Sequence, residues 1–441
     1  VAPRTLLRRL VFALLPAALL FGGAELGLRA AGVAPVTAAE ALATERFYEG
    51  AYVHRRDMEA RPWFVVEGDT ARSNPRLVPR GFHDQQFPAV PPAGERRVFA
   101  LGGSTTQGAP YEHKTRGFSQ LLEERLGSEW RVVNAGVAGL DSTRFGELAQ
   151  EAAELGAEAL VVYAGNNEVS GRLIDGCLHP GRVGIAAAID RWRTLRVAKV
   201  WVESWRPPAV PSRDELIQNQ DDCMRQFLDG ALAGHVPEDG PHREDLLARL
   251  TREVFRHSLE EVVDVGLPVV IAVPPIHLLP PPVAPRSSPA LDRPTAQAVE
   301  RAWHALERSE GPQRAGVRAS AELDELLAAD PTHAGLRWAR GLRDLDDPAL
   351  RERALEDLHR AVDWDHRGTR ITRPLQQVIR DLCAAHETVT CVDVAARFAA
   401  AAPDGIPGEA LFVDHCHPTW RGGTPLIAEA FAEALPGMVA P

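Results

Sequence analysis

Short apolar runs and helical spacings alternate along most of this chain, and the switches between the two periods mark its elements. Continuous apolar stretches at 97–103, 131–135, 159–164, 267–275 and 388–394 predict five buried strands. Between and after them the period lengthens. Phe118, Leu121, Leu122 and Leu126 lie on one face of a helix that Gly127 closes, and 144–156 predicts another that Gly156 ends. LLARLTREVFRHSLEEVV, 246–263, and the stretch 424–435 carry the same spacing. Strand, helix, strand in repetition predicts an α/β fold, with a parallel five-stranded sheet covered by helices on both faces. The first three strands run into loops rich in glycine or asparagine, so these loops are expected at one sheet edge, where open α/β folds bind ligands.

Two stretches break the alternation. One, 170–260, holds AAAIDRWRTLRVAKVWVESW, whose Trp192, Trp201 and Trp205 fit a sugar-stacking wall, a membrane-facing surface or plain helix packing, the last being the simplest. The other, 290–382, is nearly all helical. Within it LLAADPTHAGLRWARGLRDLDDPALRERALEDLHRAVDWD resembles a tetratricopeptide hairpin, with Ala339, Gly341, Ala354 and Ala361 as small packing residues. A single such unit cannot bury its own apolar face, so it is expected to pack as a cap beside the site, where it also offers a surface to a protein partner. From 31 to 96 long periodicity is missing, which predicts an extension or linker. Asn74 and Arg80-Gly81-Phe82 either pack under the site or form a surface loop.

At the N-terminal end Arg4, Arg8 and Arg9 precede LVFALLPAALLFGGAELGL, 10–28, a helix of roughly 28 Å if continuous. Residues 1–30 are therefore expected to be an uncleaved membrane anchor. The leading arginines stay cytoplasmic and 97–441 works outside, periplasmic or extracellular. A signal peptide cleaved near VTAAEA, 36–41, is the alternative.

Composition adds exclusions. With 49 basic and 60 acidic residues the net charge is −11, which argues against a nucleic-acid partner. The five cysteines, 177, 223, 383, 391 and 416, lack metal-ligand spacing. Cys177–Cys223 and Cys383–Cys391 bridges and buried free thiols all remain open.

Candidate chemistry sits in two places. VFALGGSTTQ, Val98–Gln107, ends a strand in two glycines and presents Ser104, either as a nucleophile or as a helix cap. LFVDHCHPTWRGG, 411–423, sets Asp414 three residues before His417, a spacing that lets the carboxylate orient the imidazole as a general base. Zinc held by Asp414, His415, Cys416 and His417 is the competing reading, but four adjacent residues are poorly spaced for tetrahedral ligation, so no metal is expected.

Four blocks in order, GGSTTQG at 102–108, NAGVAGLDS at 134–142, GNNE at 165–168 and DHCHP at 414–418, resemble the SGNH (GDSL-type) hydrolases. The resemblance implies a flavodoxin-like three-layer α/β/α sandwich and a serine esterase without cofactor. It makes Ser104 the nucleophile, His417 the base and Asp414 its partner, with Ser104, Gly139 and Asn167 binding the oxyanion. Gly103 stands where the family's eponymous Asp would, and Asn167-Glu168 replaces Asn-Asp. The expected substrate is an acyl ester, on a carbohydrate or a lipid. O-acyl transfer to an envelope polysaccharide and an inactive partner-binding scaffold are the alternatives.

Overall fold

The computed structural model describes residues 16, 19–31, 62–75, 77–78, 82–110, 117–168, 192–195, 197–198, 201, 242–283, 285, 287–288, 291–308, 321–365 and 368–439. The chain divides into two compact units, Val1–Glu59 with Leu173–Val236, and Ala60–Arg172 with Pro237–Pro441.

In the smaller unit the residues 19–30 form a helix. Its Glu25 carboxylate accepts from the Thr194 backbone N–H and hydroxyl, both at 2.9 Å, and Arg193 donates to the Leu28 carbonyl at 3.0 Å. Trp192 meets Phe21 edge-on, Trp201 is exposed, and Trp205 lies outside the described residues. Among the described residues no helix is long and apolar enough to cross a membrane. Residues 10–15, 17 and 18 of the apolar run lie outside them, as does 36–41.

The larger unit carries the predicted alternation. Its main strands are β4 (Arg96–Gly102), β5 (Trp130–Gly136), β6 (Ala159–Tyr163), β7 (Val269–Ala272) and β8 (Val389–Val392). All pair in parallel, in the spatial order β5-β4-β6-β7-β8. This is the flavodoxin-type order, in which the chain reverses direction across the sheet beside the first strand.

Residues alternate between the faces of a strand, and the core divides accordingly. Phe99, Leu101, Leu160, Val162, Val269 and Ile271 pack with helices Phe145–Glu154, His242–Val263 and Arg373–Ala385. Val98, Ala100, Val161, Val270 and Ala272 pack with Phe118–Leu126, Val394–Ala401 and Gly423–Ala434. Both faces are covered, which gives three layers. The helix predicted inside the first insertion turns out to be a layer helix, lying on Phe145–Glu154 and Arg373–Ala385.

Between residues 62 and 88, where no element was predicted, three short strands form an antiparallel sheet: β1 (Phe64–Glu67), β2 (Thr70–Ser73) and β3 (Gln86–Pro88). Strands of three or four residues are too short to establish a period. What holds them is aromatic: Phe64 meets Phe82, Phe87 and Phe99 edge-on, and all four rings are buried. Burying one such ring stabilises the fold by about 1.5–3 kcal/mol. Asn74 and Phe82 are buried rather than looped out, and Arg80 and Gly81 lie outside the described residues.

The described part of the second insertion is mostly helical. Ala334–Asp344 and Arg351–Asp363 form an antiparallel hairpin in which a side chain at Gly341 would strike Leu358 and the Ala354 carbonyl, so close helix approach accounts for this glycine. His359 lies on the second helix. Burial, reinforced by the Arg373 charge, lowers its pKa from the ordinary 6.5 to about 4. The unfolded chain therefore takes up a proton that the folded state resists. The stability involved is complete above about pH 6.5 and is lost as pH falls toward 4. Thermal unfolding should show a midpoint about 5 °C lower at pH 4.5 than at pH 7, and His359→Gln should shrink that difference. An unchanged difference in the variant would show that His359 is not the group responsible.

A disulfide joins Cys383 to Cys391, linking helix Arg373–Ala385 to β8, and Cys416 is a buried free thiol. Cys177 and Cys223 lie outside the described residues.

Candidate active site

Strand register decides where Ser104 sits. Gly102 of β4 aligns with Gly136 of β5 and Tyr163 of β6, so the three following loops leave the sheet side by side. Ser104 opens a four-residue helix, Ser104–Gln107, with Gly103 at the N-cap and no side-chain capping bond. The hydroxyl is therefore not a cap. It lies 2.7 Å from His417 Nε2, although 313 positions separate the two residues in sequence.

The turn that carries His417 is built by its own aspartate. Asp414 Oδ1 accepts the backbone N–H groups of Cys416 (2.9 Å) and His417 (2.8 Å), and the Val413 N–H donates back to the His417 carbonyl. That leaves Oδ2 for the ring, and His417 Nδ1 donates to it at 2.6 Å. A carboxylate only accepts, so Nδ1 carries the proton and Nε2 presents its lone pair to the Ser104 hydroxyl. Burial pushes the Asp414 carboxyl upward. The hydrogen bonds from the His417 ring and from the two backbone N–H groups outweigh it and hold the group well below the usual carboxylate range.

The loops after β5 and β6 meet beside Ser104. Asn167 Nδ2 donates to the Leu140 carbonyl at 3.0 Å. A side chain at Gly103 would collide with that same amide nitrogen. Glycine at 103 thus makes room for Asn167 to lie against the backbone next to Ser104. Gly139 has φ +77°, and no other protein atom lies within 4 Å of where its Cβ would be, so within the chain it is the backbone conformation that calls for glycine. As the first residue of its helix, Ser104 adds an N–H that has no partner within that helix.

Behind these residues stand several polar groups to which the sequence pattern assigns no role. Glu168 is buried, and its Oε2 accepts the Ser142 hydroxyl at 2.7 Å, tying the GNNE loop to the 137–142 loop. Asn134 donates to the Thr106 carbonyl and to the Ser119 hydroxyl, both at 2.7 Å, and so braces the short helix of Ser104 from below. His277, after β7, donates from Nδ1 to the Asp414 carbonyl at 2.7 Å. Asn134 and Glu168 lie in two of the four blocks without a role of their own there, and an isolated histidine such as His277 reads from sequence as ordinary core or loop.

Asp414, Cys416 and His417 bring ligand-type atoms within 4.8 Å of one another. The donor set suits a cation poorly. His417 Nδ1 and Asp414 Oδ2 already bond each other, and burial, with the Asp414 charge, pushes the Cys416 thiol up, away from the thiolate a metal needs.

No protein-family model matches the sequence, and no curated protein matches it. Among solved structures, the chain is similar to one from Agrobacterium tumefaciens str. C58, at 15% identity and a TM-score of 0.29, covering 78% of this chain and 100% of that one. It is also similar to a carbohydrate acetylesterase family member from Sinorhizobium meliloti, at 11% identity and 0.28, covering 78% and 98%. A third is the native aryl esterase of M. smegmatis, at 11% and 0.26, covering 78% and 100%.

Proposed function

We propose that this chain is a serine esterase of the SGNH type, which cleaves short-chain or O-acetyl esters through an acyl-enzyme and works outside the cytoplasm. The observation that carries the proposal is the unbroken hydrogen-bond series from Asp414 through His417 to Ser104, at 2.6 and 2.7 Å. In it each group has the protonation its role requires. His417 Nε2 takes the Ser104 proton as Oγ attacks the ester carbonyl carbon, and the carbonyl π-pair moves onto oxygen. Asp414, ionised, stabilises the imidazolium that forms. The Asn167 amide and the N–H groups of Ser104 and Gly139 receive the oxyanion. Collapse expels the alkoxide, which takes the proton from His417, and leaves acyl-Ser104. Water, deprotonated by the same imidazole, then attacks the acyl carbon, and Ser104 departs with its proton restored.

Work outside the cytoplasm is supported by the Cys383–Cys391 bridge, since disulfides persist in oxidising compartments, and by the arginine-led apolar run at 10–28. Membrane attachment through that run belongs to the same proposal.

A fluorophosphonate probe tests the enzyme: covalent labelling at Ser104 is expected, and its absence would favour a binding scaffold. Product analysis with water alone, against oligosaccharide acceptors, separates hydrolysis from acyl transfer to a polysaccharide hydroxyl. Asn167→Ala should lower kcat about 10²–10³-fold in ester hydrolysis while the protein stays folded. Unchanged kinetics would remove Asn167 from the oxyanion site.

A further inference from the structure

We propose that Arg370-Ile371 of the second helical insertion, the dipeptide just before helix Arg373–Ala385, together with His277, positions the reacting groups, so that the insertion is a working part of the site rather than a cover. The inference rests on the esterase function proposed above.

Arg370 is buried just before helix Arg373–Ala385, which packs on the sheet. Its Nη1 donates to the carbonyls of His277 and Pro280, both at 2.9 Å, and Nη2 to that of Pro281 at 3.3 Å, while Asp365 pairs with it at 3.6 Å. One guanidinium therefore fixes the whole loop that follows β7. That loop presents the His277 ring, which stacks on Phe412 with centroids 4.5 Å apart and planes 6° from parallel. Because a carbonyl only accepts, the 2.7 Å contact to the Asp414 carbonyl requires the proton on Nδ1. His277 Nε2 is buried and has no partner among the described residues. A packing residue would need no nitrogen at either place.

The result is a continuous set of contacts: Arg370 to the His277 backbone, the His277 ring to the Asp414 backbone, the Asp414 side chain to His417, and His417 to Ser104. The neighbouring residue reaches the opposite side of the site. The Ile371 N–H donates to Asn166 Oδ1 at 2.8 Å, and the Ile371 side chain occupies the space a Cβ at Gly165, φ +118°, would need. Asn167 comes next in that loop. A single dipeptide thus holds the turn of the base and the loop of the oxyanion donor. Misplacing such groups by about 1 Å can cost on the order of 10² in rate.

The test exploits two replacements of His277 with opposite chemistry. His277→Phe keeps a ring to stack on Phe412 and loses the Nδ1 donor. His277→Asn loses the ring, but its amide N–H₂ can take the place of Nδ1–H. With p-nitrophenyl acetate, the Phe variant is expected to lose 10- to 100-fold in kcat with KM nearly unchanged. The Asn variant should recover most of that loss. Arg370→Lys, which keeps a charge beside Asp365 but cannot reach three carbonyls, provides a second reading of kcat should His277→Phe fail to fold. It should show the same loss at unchanged KM. Wild-type kcat in His277→Phe, a ranking with Asn below Phe, or wild-type kcat in Arg370→Lys would each overturn the proposal. Fluorophosphonate labelling of the unmodified protein separates the two levels. If Ser104 labels but the variants behave as wild type, only the positioning role falls, whereas if Ser104 does not label, the esterase function falls and takes this role with it.

Discussion

Ser104→Ala is expected to abolish ester turnover, lowering kcat by on the order of 10⁴–10⁶. The covalent step needs an oxygen at this position, and the residual rate would come from the oxyanion donors and binding alone. The Ser104 hydroxyl bonds His417, and the Ser104 carbonyl, which accepts from Gly108 and Ala109, is untouched by the change. Stability should therefore move by no more than about 0.5 kcal/mol. Steady-state kinetics with p-nitrophenyl acetate, a thermal melt and a fluorophosphonate mass shift together decide the matter. A folded variant with unchanged turnover would retire Ser104 as the nucleophile.

Asp414→Asn is the second large effect, expected to lower kcat about 10³–10⁴-fold. Asparagine keeps an oxygen to accept the Cys416 and His417 backbone N–H groups, so the turn survives. Its amide N–H₂ then faces His417 Nδ1, which must accept. The ring is forced into the other tautomer, Nε2 carries a proton, and it can no longer take one from Ser104. Asp414 itself is held ionised well below the usual carboxylate range, so the deficit should be constant across neutral pH rather than recover on the alkaline side. A loss confined to acid pH, or recovery above pH 8, would mean that Asp414 does not act by fixing the tautomer.

Much of this site was legible because its parts are local. The pattern that ends β4 in Gly102-Gly103 needs only its own residues to place Ser104 at a strand end, and the three-residue spacing of Asp414 and His417 brings carboxylate and ring together within one turn. The cap-or-nucleophile question at Ser104 is different in kind. What sets Ser104 apart from a cap is the contact of its hydroxyl with His417, 313 positions later in sequence. At Gly139 a positive φ calls for glycine, while at Gly103 it is the space taken by the Asn167 amide. No sequence pattern separates these two reasons, since both appear as a glycine in a loop. The β1–β3 sheet escaped notice because strands so short carry no period, and their stability comes from contacts with Phe99 in another element.

By itself the sequence determined the five parallel strands, the helical character of the second insertion and the candidate site residues, since periodicity and short spacings act through near neighbours. Only the tertiary structure decided the spatial order of the strands, the meeting of Ser104 with His417, and the anchorage of the insertion through Arg370, His277 and Ile371. These depend on pairings between segments tens to hundreds of residues apart, which burial and hydrogen bonding select during folding and which no local pattern encodes.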